Sequence, residues 1–308
     1  MTFWTILVIF GLAVLLVCFP TVRCAICHPF LCVRYGATDF WYYMSRKQWH
    51  SAPYGQISCY IADSSTSFGC GKTLSATDCI VSLFRQYDGK MVWCSQRKKF
   101  VTQRIKIISN VDFLTIPYER LVSLSQFVQW TDMVWEHDLA HDTFTVTYVV
   151  IDEASSQLNS RSFKSNFDAY FISRLLTSRH VHASIILTSQ RAGMVDKLMR
   201  DCCHLYIGCN KVWRFQCLNY YDAYEIENAQ TPALVAPIRR TCWFVTDSAF
   251  SNYDTYASVQ ALKKSCQEGD MLSEEEILAL QVGTPANMDV VQKPSRKWLH
   301  NQKKRTKR

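Results

Sequence analysis

The run Asp63-Ser-Ser-Thr-Ser-Phe-Gly-Cys-Gly-Lys-Thr73 constrains this chain more than any other stretch. It follows Gln56-Ile-Ser-Cys-Tyr-Ile-Ala62, which reads as a strand. It precedes Leu74 to Gln86, where Leu74, Ala76, Ile80, Val81 and Phe84 fit one face of a helix. A strand, a turn ending in Gly-Lys-Thr and a helix together predict a phosphate-binding loop. Backbone N–H groups must curl around the phosphates, and glycine lets the main chain come close. The chain has only ten Gly in 308 residues, about half of average usage. Gly69 and Gly71 beside Lys72 are therefore informative. Lys72 would place its ammonium on the β- and γ-phosphates, and the Thr73 hydroxyl would bind Mg²⁺. The helix start would offer its N–H groups and dipole to the anion. Cys70 lies between the glycines. Thr66 stands where GxxxxGK[ST] has its first Gly. A positive φ there would cost Thr about 1–2 kcal/mol.

A second signal lies far downstream. Tyr148-Val-Val-Ile-Asp-Glu-Ala154 reads as a buried strand with two carboxylates at its carboxyl end. In an open parallel sheet, ligands bind at that end. Asp152 would hold Mg²⁺, and Glu153 would polarise the attacking water. The next buried strand closes on Thr188-Ser-Gln190, so Gln190 or Ser189 could bond the γ-phosphate or its water. Strands alternating with helices predict an α/β fold with a mostly parallel sheet covered on both faces. The spacing predicts further helices over Tyr118–Trp135, Ser165–Ser178 and Val195–Arg200, and short strands at Met91–Cys94, Ile105–Ile108 and His204–Ile207. The aromatic, irregular stretch from Lys211 to Val245 is expected to supply late or edge strands.

Residues 2–22 carry no charge. About 20 apolar residues at about 1.5 Å each span a ~30 Å hydrocarbon core, so 1–23 reads as a transmembrane anchor. A cleaved signal peptide is the alternative, without the usual basic start. Arg23, Arg34, Arg46 and Lys47 follow the span, which orients the body toward the cytoplasm. A wet connector is expected over 24–55, the nucleotide-binding domain over 56–265, and a short helix and linker over 266–292. Cys24-Ala-Ile-Cys27-His28 with Cys32 has the look of a zinc half-site or haem attachment, or of unspecialised membrane-proximal cysteine. Cysteines in apolar runs, such as Cys59, Cys79 and Cys94, read as reduced core residues.

The net charge of +8 belongs to one end. Residues 293–308 hold eight basic side chains, among them Lys303, Lys304, Arg305, Lys307 and Arg308, and no acidic one. Without them the chain has 26 Lys+Arg against 26 Asp+Glu. Binding of nucleic acid over the whole surface is therefore excluded. The tail alone is the candidate for phosphate-backbone contact. With 48% hydrophobic residues the body is no disordered chain.

The order strand–GCGKT–helix, VVIDEA, Ser178-Arg-His180, IILTSQ190 and Val195-Asp-Lys-Leu-Met-Arg200 resembles the FtsK–HerA branch of P-loop ATPases. Within that branch it is similar to Zot-like (zonular occludens toxin-like) assembly proteins of filamentous phages and to viral genome-packaging ATPases. Tyr253-Asp-Thr255 matches a short motif downstream in that group. The resemblance implies a RecA-like core, ATP and Mg²⁺, a homo-hexamer, DNA as cargo and work at a membrane with coat or other assembly proteins. For a phage-encoded chain that membrane is the host inner membrane. Lys72, Thr73, Asp152, Glu153 and Gln190 carry over by position. Arg179, with Arg200 second, is the arginine-finger candidate. A conjugative coupling or secretion ATPase is the first alternative. A nucleotide-binding membrane scaffold without turnover is the second.

Overall fold

A computed structural model of the chain describes residues 3–253, apart from positions 6, 9, 12–18, 64–67, 122–123, 155–168 and 231–233. Thr66, the basic tail and the helix expected near 273–280 lie outside the described residues.

Strands β1 (Ile57–Ala62), β2 (Met91–Cys94), β3 (Lys99–Ser109), β4 (Glu119–Arg120), β5 (Thr143–Ile151), β6 (Ala183–Thr188), β7 (Leu205–Val212), β8 (Phe215–Asp222) and β9 (Arg239–Phe244) form one mixed sheet. Its order is β2-β3-β5-β6-β1-β7-β8-β9, with β4 paired to β3. The central pairs β3–β5, β5–β6, β6–β1 and β1–β7 are parallel. The outer pairs β2–β3, β7–β8 and β8–β9 are antiparallel. The expected mostly parallel α/β sheet is present.

Successive side chains of a strand point to opposite faces, and β5 shows the consequence. Val146, Tyr148 and Val150 join one core cluster, while Val149 and Ile151 join the other. Helix α3 (Lys72–Tyr87) covers the first face with Ala76, Ile80 and Val81. Helices α4 (Leu124–His141) and α5 (Ala169–Leu176) cover the second through Phe127, Phe171 and Leu175. A strand buried on both faces reads as a continuous apolar run, which is why Val146–Ile151 was legible.

One helix boundary differs from expectation. Helix α4 starts at Leu124 rather than Tyr118. The backbone of 119–120 is drawn into the sheet beside β3, Lys106 pairs with Glu119 at 2.5 Å, and the Leu121 N–H reaches the Ser109 carbonyl at 2.7 Å. The stretch expected as a connector is largely helical. Helix α1 (Pro20–Cys27) and helix α2 (Pro29–Ser45) each open on a proline, whose fixed φ suits the first helical turn. No residue of either helix is buried. The expected apolar span over 2–22 is also not seen as one helix. Pro20 starts a new element, positions 6, 9 and 12–18 lie outside the described residues, and among the described residues no helix is long and apolar enough to cross a membrane.

Three further short α-helices are α6 (Lys197–Asp201), α7 (Ala223–Asn228) and α8 (Asp247–Phe250). Strands β8 and β9 confirm the late edge strands expected between Lys211 and Val245.

Candidate nucleotide site

Strand β6 lies between β1 and β5. The side chain at its tip therefore stands between the loop that leaves β1 and the carboxylates that end β5. Lys72 Nζ donates to Gln190 Oε1 at 2.9 Å, and Gln190 Nε2 donates to Glu153 Oε1 at 2.8 Å. One amide thus joins an ammonium to a carboxylate. Lys72 also lies 3.7 Å from Cys70 Sγ and is only 7% exposed.

Below this chain the Thr73 hydroxyl donates to Asp152 Oδ1 at 2.8 Å. The Thr188 hydroxyl donates to the same oxygen at 2.5 Å and accepts the Glu153 N–H at 3.0 Å. Asn110, just past β3, fixes the backbone: its Nδ2 donates to the Asp152 carbonyl at 2.8 Å, and its Oδ1 accepts the Asp152 N–H at 2.7 Å. Glu153 has φ +50°, a left-handed conformation that costs about 1–2 kcal/mol for a residue with a Cβ. The bonds from Thr188 and Asn110 hold it there. Burial and the neighbouring Asp152 push the Glu153 carboxyl above its usual range, while Lys72 and Gln190 partly offset this. A carboxylate so placed can accept a proton from a water held against it.

The loop is braced from the other side. Gly71 caps α3 with φ +81°, and a Cβ there would lie 2.1 Å from Gln216 Oε1. Gln216, on β8, is fully buried and donates from Nε2 to the Cys70 carbonyl at 3.0 Å. Asp63, where β1 ends, accepts from Tyr221 at 3.0 Å and from Asn219, both on β8. Gly208 makes room for it, since a Cβ there would lie 2.7 Å from Asp63 Cγ. These contacts leave the first-turn N–H groups of α3 at the carboxyl edge of the sheet, beside Lys72.

The structure thus gathers Gly71, Lys72, Thr73, Asp152, Glu153 and Gln190 at one edge, with Cys70 buried beneath. Ser189 turns away, its hydroxyl donating to the Arg191 carbonyl at 2.9 Å. Arg179 does not join this chain's own site. It lies against Gly55, before β1, at the amino edge of the sheet, and lines a cavity of about 540 Å³ with Leu175, His204 and Cys202. Arg200 is engaged within the fold by Glu227 and by the Val195 carbonyl at 3.2 Å. Asn110, Thr188 and Gln216 are site residues that sequence reasoning missed. Only Thr188, at the tip of a strand already identified, had a signal.

Thr73 and Asp152 offer a hydroxyl and a carboxylate 2.8 Å apart, a donor set of oxygens that suits a hard divalent cation shared with phosphate. Among the described residues no group of three or more His, Cys, Asp or Glu could hold a metal, and Cys24, Cys27 and Cys32 are exposed.

No family model and no curated protein matches this chain. Among solved structures it is similar to the N-terminal domain of zonular occludens toxin from Neisseria meningitidis, with TM-score 0.42 and 17% identity over 66% of this chain and 100% of that one. It is also similar to the genome packaging NTPase B204 from Sulfolobus turreted icosahedral virus 2, solved with ATP-gammaS, at TM-score 0.34 and 13% identity over 62% of this chain and 98% of that one. ATPases 2 and 3 of EssC from Geobacillus thermodenitrificans give TM-score 0.34 and 12% identity, covering 68% of this chain and 42% of theirs.

Proposed function

We propose that the chain is a membrane-associated ATPase that couples hydrolysis to DNA movement during virus assembly. The Lys72–Gln190–Glu153 connection beside the Thr73–Asp152 pair carries this reading. Lys72 and the amides at the start of α3 bind and orient the phosphates. Thr73 and Asp152 would hold Mg²⁺, which would neutralise phosphate charge. Glu153 takes a proton from the attacking water, and Gln190 orients that water against the terminal phosphate. Gln216 and Asp63 keep the loop in shape and touch no reacting atom.

DNA, the membrane and a ring complete the reading. DNA as cargo rests on the motif resemblance and on the basic residues of 293–308. The membrane rests on the uncharged residues 2–22 and on the exposed aromatics of α2, Phe40, Trp41, Tyr42 and Tyr43, a composition suited to an interface. A homo-hexamer rests on the resemblance. In such a ring Arg179, being remote from its own phosphate loop, would serve a neighbouring copy.

The test is steady-state ATP hydrolysis by the full chain, alone and with single- or double-stranded DNA. Turnover stimulated by DNA is expected. Nucleotide binding without turnover would point to a scaffold, and turnover indifferent to DNA would point to another cargo. Sedimentation with membranes that resists carbonate washing and yields to detergent is expected of the anchored form.

A further inference from the structure

Cys217 and Cys242 face each other across β8 and β9, with their sulfurs 3.1 Å apart. The backbone favours more than contact. The Val245 N–H donates to the Arg214 carbonyl at 2.7 Å, which makes 214 and 245 a hydrogen-bonded pair in the same register. Hydrogen-bonded and non-bonded pairs alternate along an antiparallel ladder, so Cys217 and Cys242 form a narrow, non-bonded pair. Their Cα atoms are then about 4.5 Å apart, within the 4.4–6.8 Å range a disulfide tolerates. Closing the bond needs the sulfurs to approach by about 1 Å and no strand to move.

The pair is also accessible. Cys242 is exposed and Cys217 half-buried, whereas Cys59, Cys70, Cys94 and Cys209 are buried in the core. Cys217 donates its hydrogen bond to Cys242, and that bond, with some burial, holds the Cys217 proton more tightly than usual. Cys242 therefore meets an incoming reagent first.

We propose that Cys217 and Cys242 form a reversible cross-strand disulfide, made by exchange with a small-molecule disulfide such as oxidised glutathione. The Cys242 thiolate attacks the small disulfide, forming a mixed disulfide and releasing one thiolate. That thiolate takes up the Cys217 proton. The Cys217 sulfur then attacks Cys242 Sγ and expels the second small thiolate, which is protonated from solvent. Two protein thiols are oxidised to one disulfide, and one small disulfide is reduced to two thiols.

The position matters for the fold. Gln216, next to Cys217, points to the opposite face and holds the phosphate loop, and Trp243 and Val245, beside Cys242, pack near Leu74 of α3. The disulfide would pin the edge strand β9 to the strand that braces the loop. A cross-link stabilises mainly by restricting the unfolded chain.

The experiment equilibrates the full reduced chain in glutathione buffers of graded potential. It is then quenched with acid, alkylated and mapped by peptide mass spectrometry. The expected result is that Cys217 and Cys242 lose alkylation together, with one midpoint, and appear as one linked peptide that dithiothreitol dissolves. The oxidised form should melt roughly 5–10 °C higher, and Cys217→Ser should abolish that rise and leave Cys242 as a mixed disulfide. The proposal is overturned if both thiols stay alkylatable at potentials that glutathionylate Cys24, Cys27 or Cys32. It is overturned equally if the two titrate independently or link to other cysteines. Mapping of the unmutated chain decides this whether or not the serine variant folds, and needs no nucleotide.

Discussion

The phosphate loop stands between two unlike halves of one sheet. On one side the parallel strands β5 and β6 bring Asp152, Glu153 and Gln190 to Lys72 and Thr73. On the other, β8, which runs antiparallel to β7, reaches the loop and the end of β1 through Gln216, Asn219 and Tyr221, side chains that carry no charge. In the proposed site the parallel half supplies the groups that would change protonation or bind charge, with Asn110 and Thr188 holding their backbone. The antiparallel half supplies only bracing contacts to the loop. Chemistry and position are thus separable, and substitutions in the two halves should fail in different ways.

The largest effect is expected for Glu153→Gln. Losing the general base should lower turnover by about 10²–10⁴-fold, while equilibrium binding of ATP is retained. Unchanged turnover would remove Glu153 from the chemistry and break the division. Lys72→Ala should reduce kcat/KM by about 10²–10³-fold and weaken nucleotide binding, as fluorescent-nucleotide titration would register. Gln216→Ala belongs to the other half. It should weaken binding by about tenfold, the worth of one buried hydrogen bond, and leave kcat at saturating ATP largely intact. A fall in kcat without a change in affinity would assign β8 to the chemistry after all.

The pH profile offers a smaller but sharper distinction. Glu153 must be ionised to accept a proton, and burial, then Asp152, raises its pKa above the ordinary glutamate range. Turnover should therefore fall as pH drops through a midpoint above the ordinary glutamate range. Gln190→Ala removes a bond that lowers this pKa and should move the midpoint upward. For stability the sign is opposite. A raised folded-state pKa gives a contribution that is fully present below the unfolded pKa and is lost as pH rises through the folded one. The smallest effect is expected from deleting 293–308. Basal hydrolysis should stay the same, while DNA affinity falls and its dependence on salt flattens in filter binding.

Legibility in the sequence depended on whether a residue's signal was local. Gly69-Cys-Gly-Lys-Thr73 and Val149-Val-Ile-Asp-Glu153 were readable because a loop, or a strand tip, carries its signal locally. Gln190 was readable because it ends a buried apolar strand. Gln216 was not. It lies inside an alternating edge region, and only the closed sheet shows it beneath Gly71. Asn110 and the Asp63–Tyr221 contact depend likewise on pairings that no local pattern announces. The helix α2 was missed because aromatic residues scattered over all its faces give no apolar stripe, and the structure buries none of them.

The bond between Lys72 and Gln190 joins residues 118 positions apart, that between Thr73 and Asp152 spans 79, and that between Gln216 and the Cys70 carbonyl spans 146. Such long-range pairings form only after large loops have closed, and they make folding slow. A nascent or truncated chain that stops before β8 would contain every motif residue yet lack the brace under its phosphate loop. The time at which nucleotide protection first appears during refolding would therefore mark the moment the whole sheet has come together.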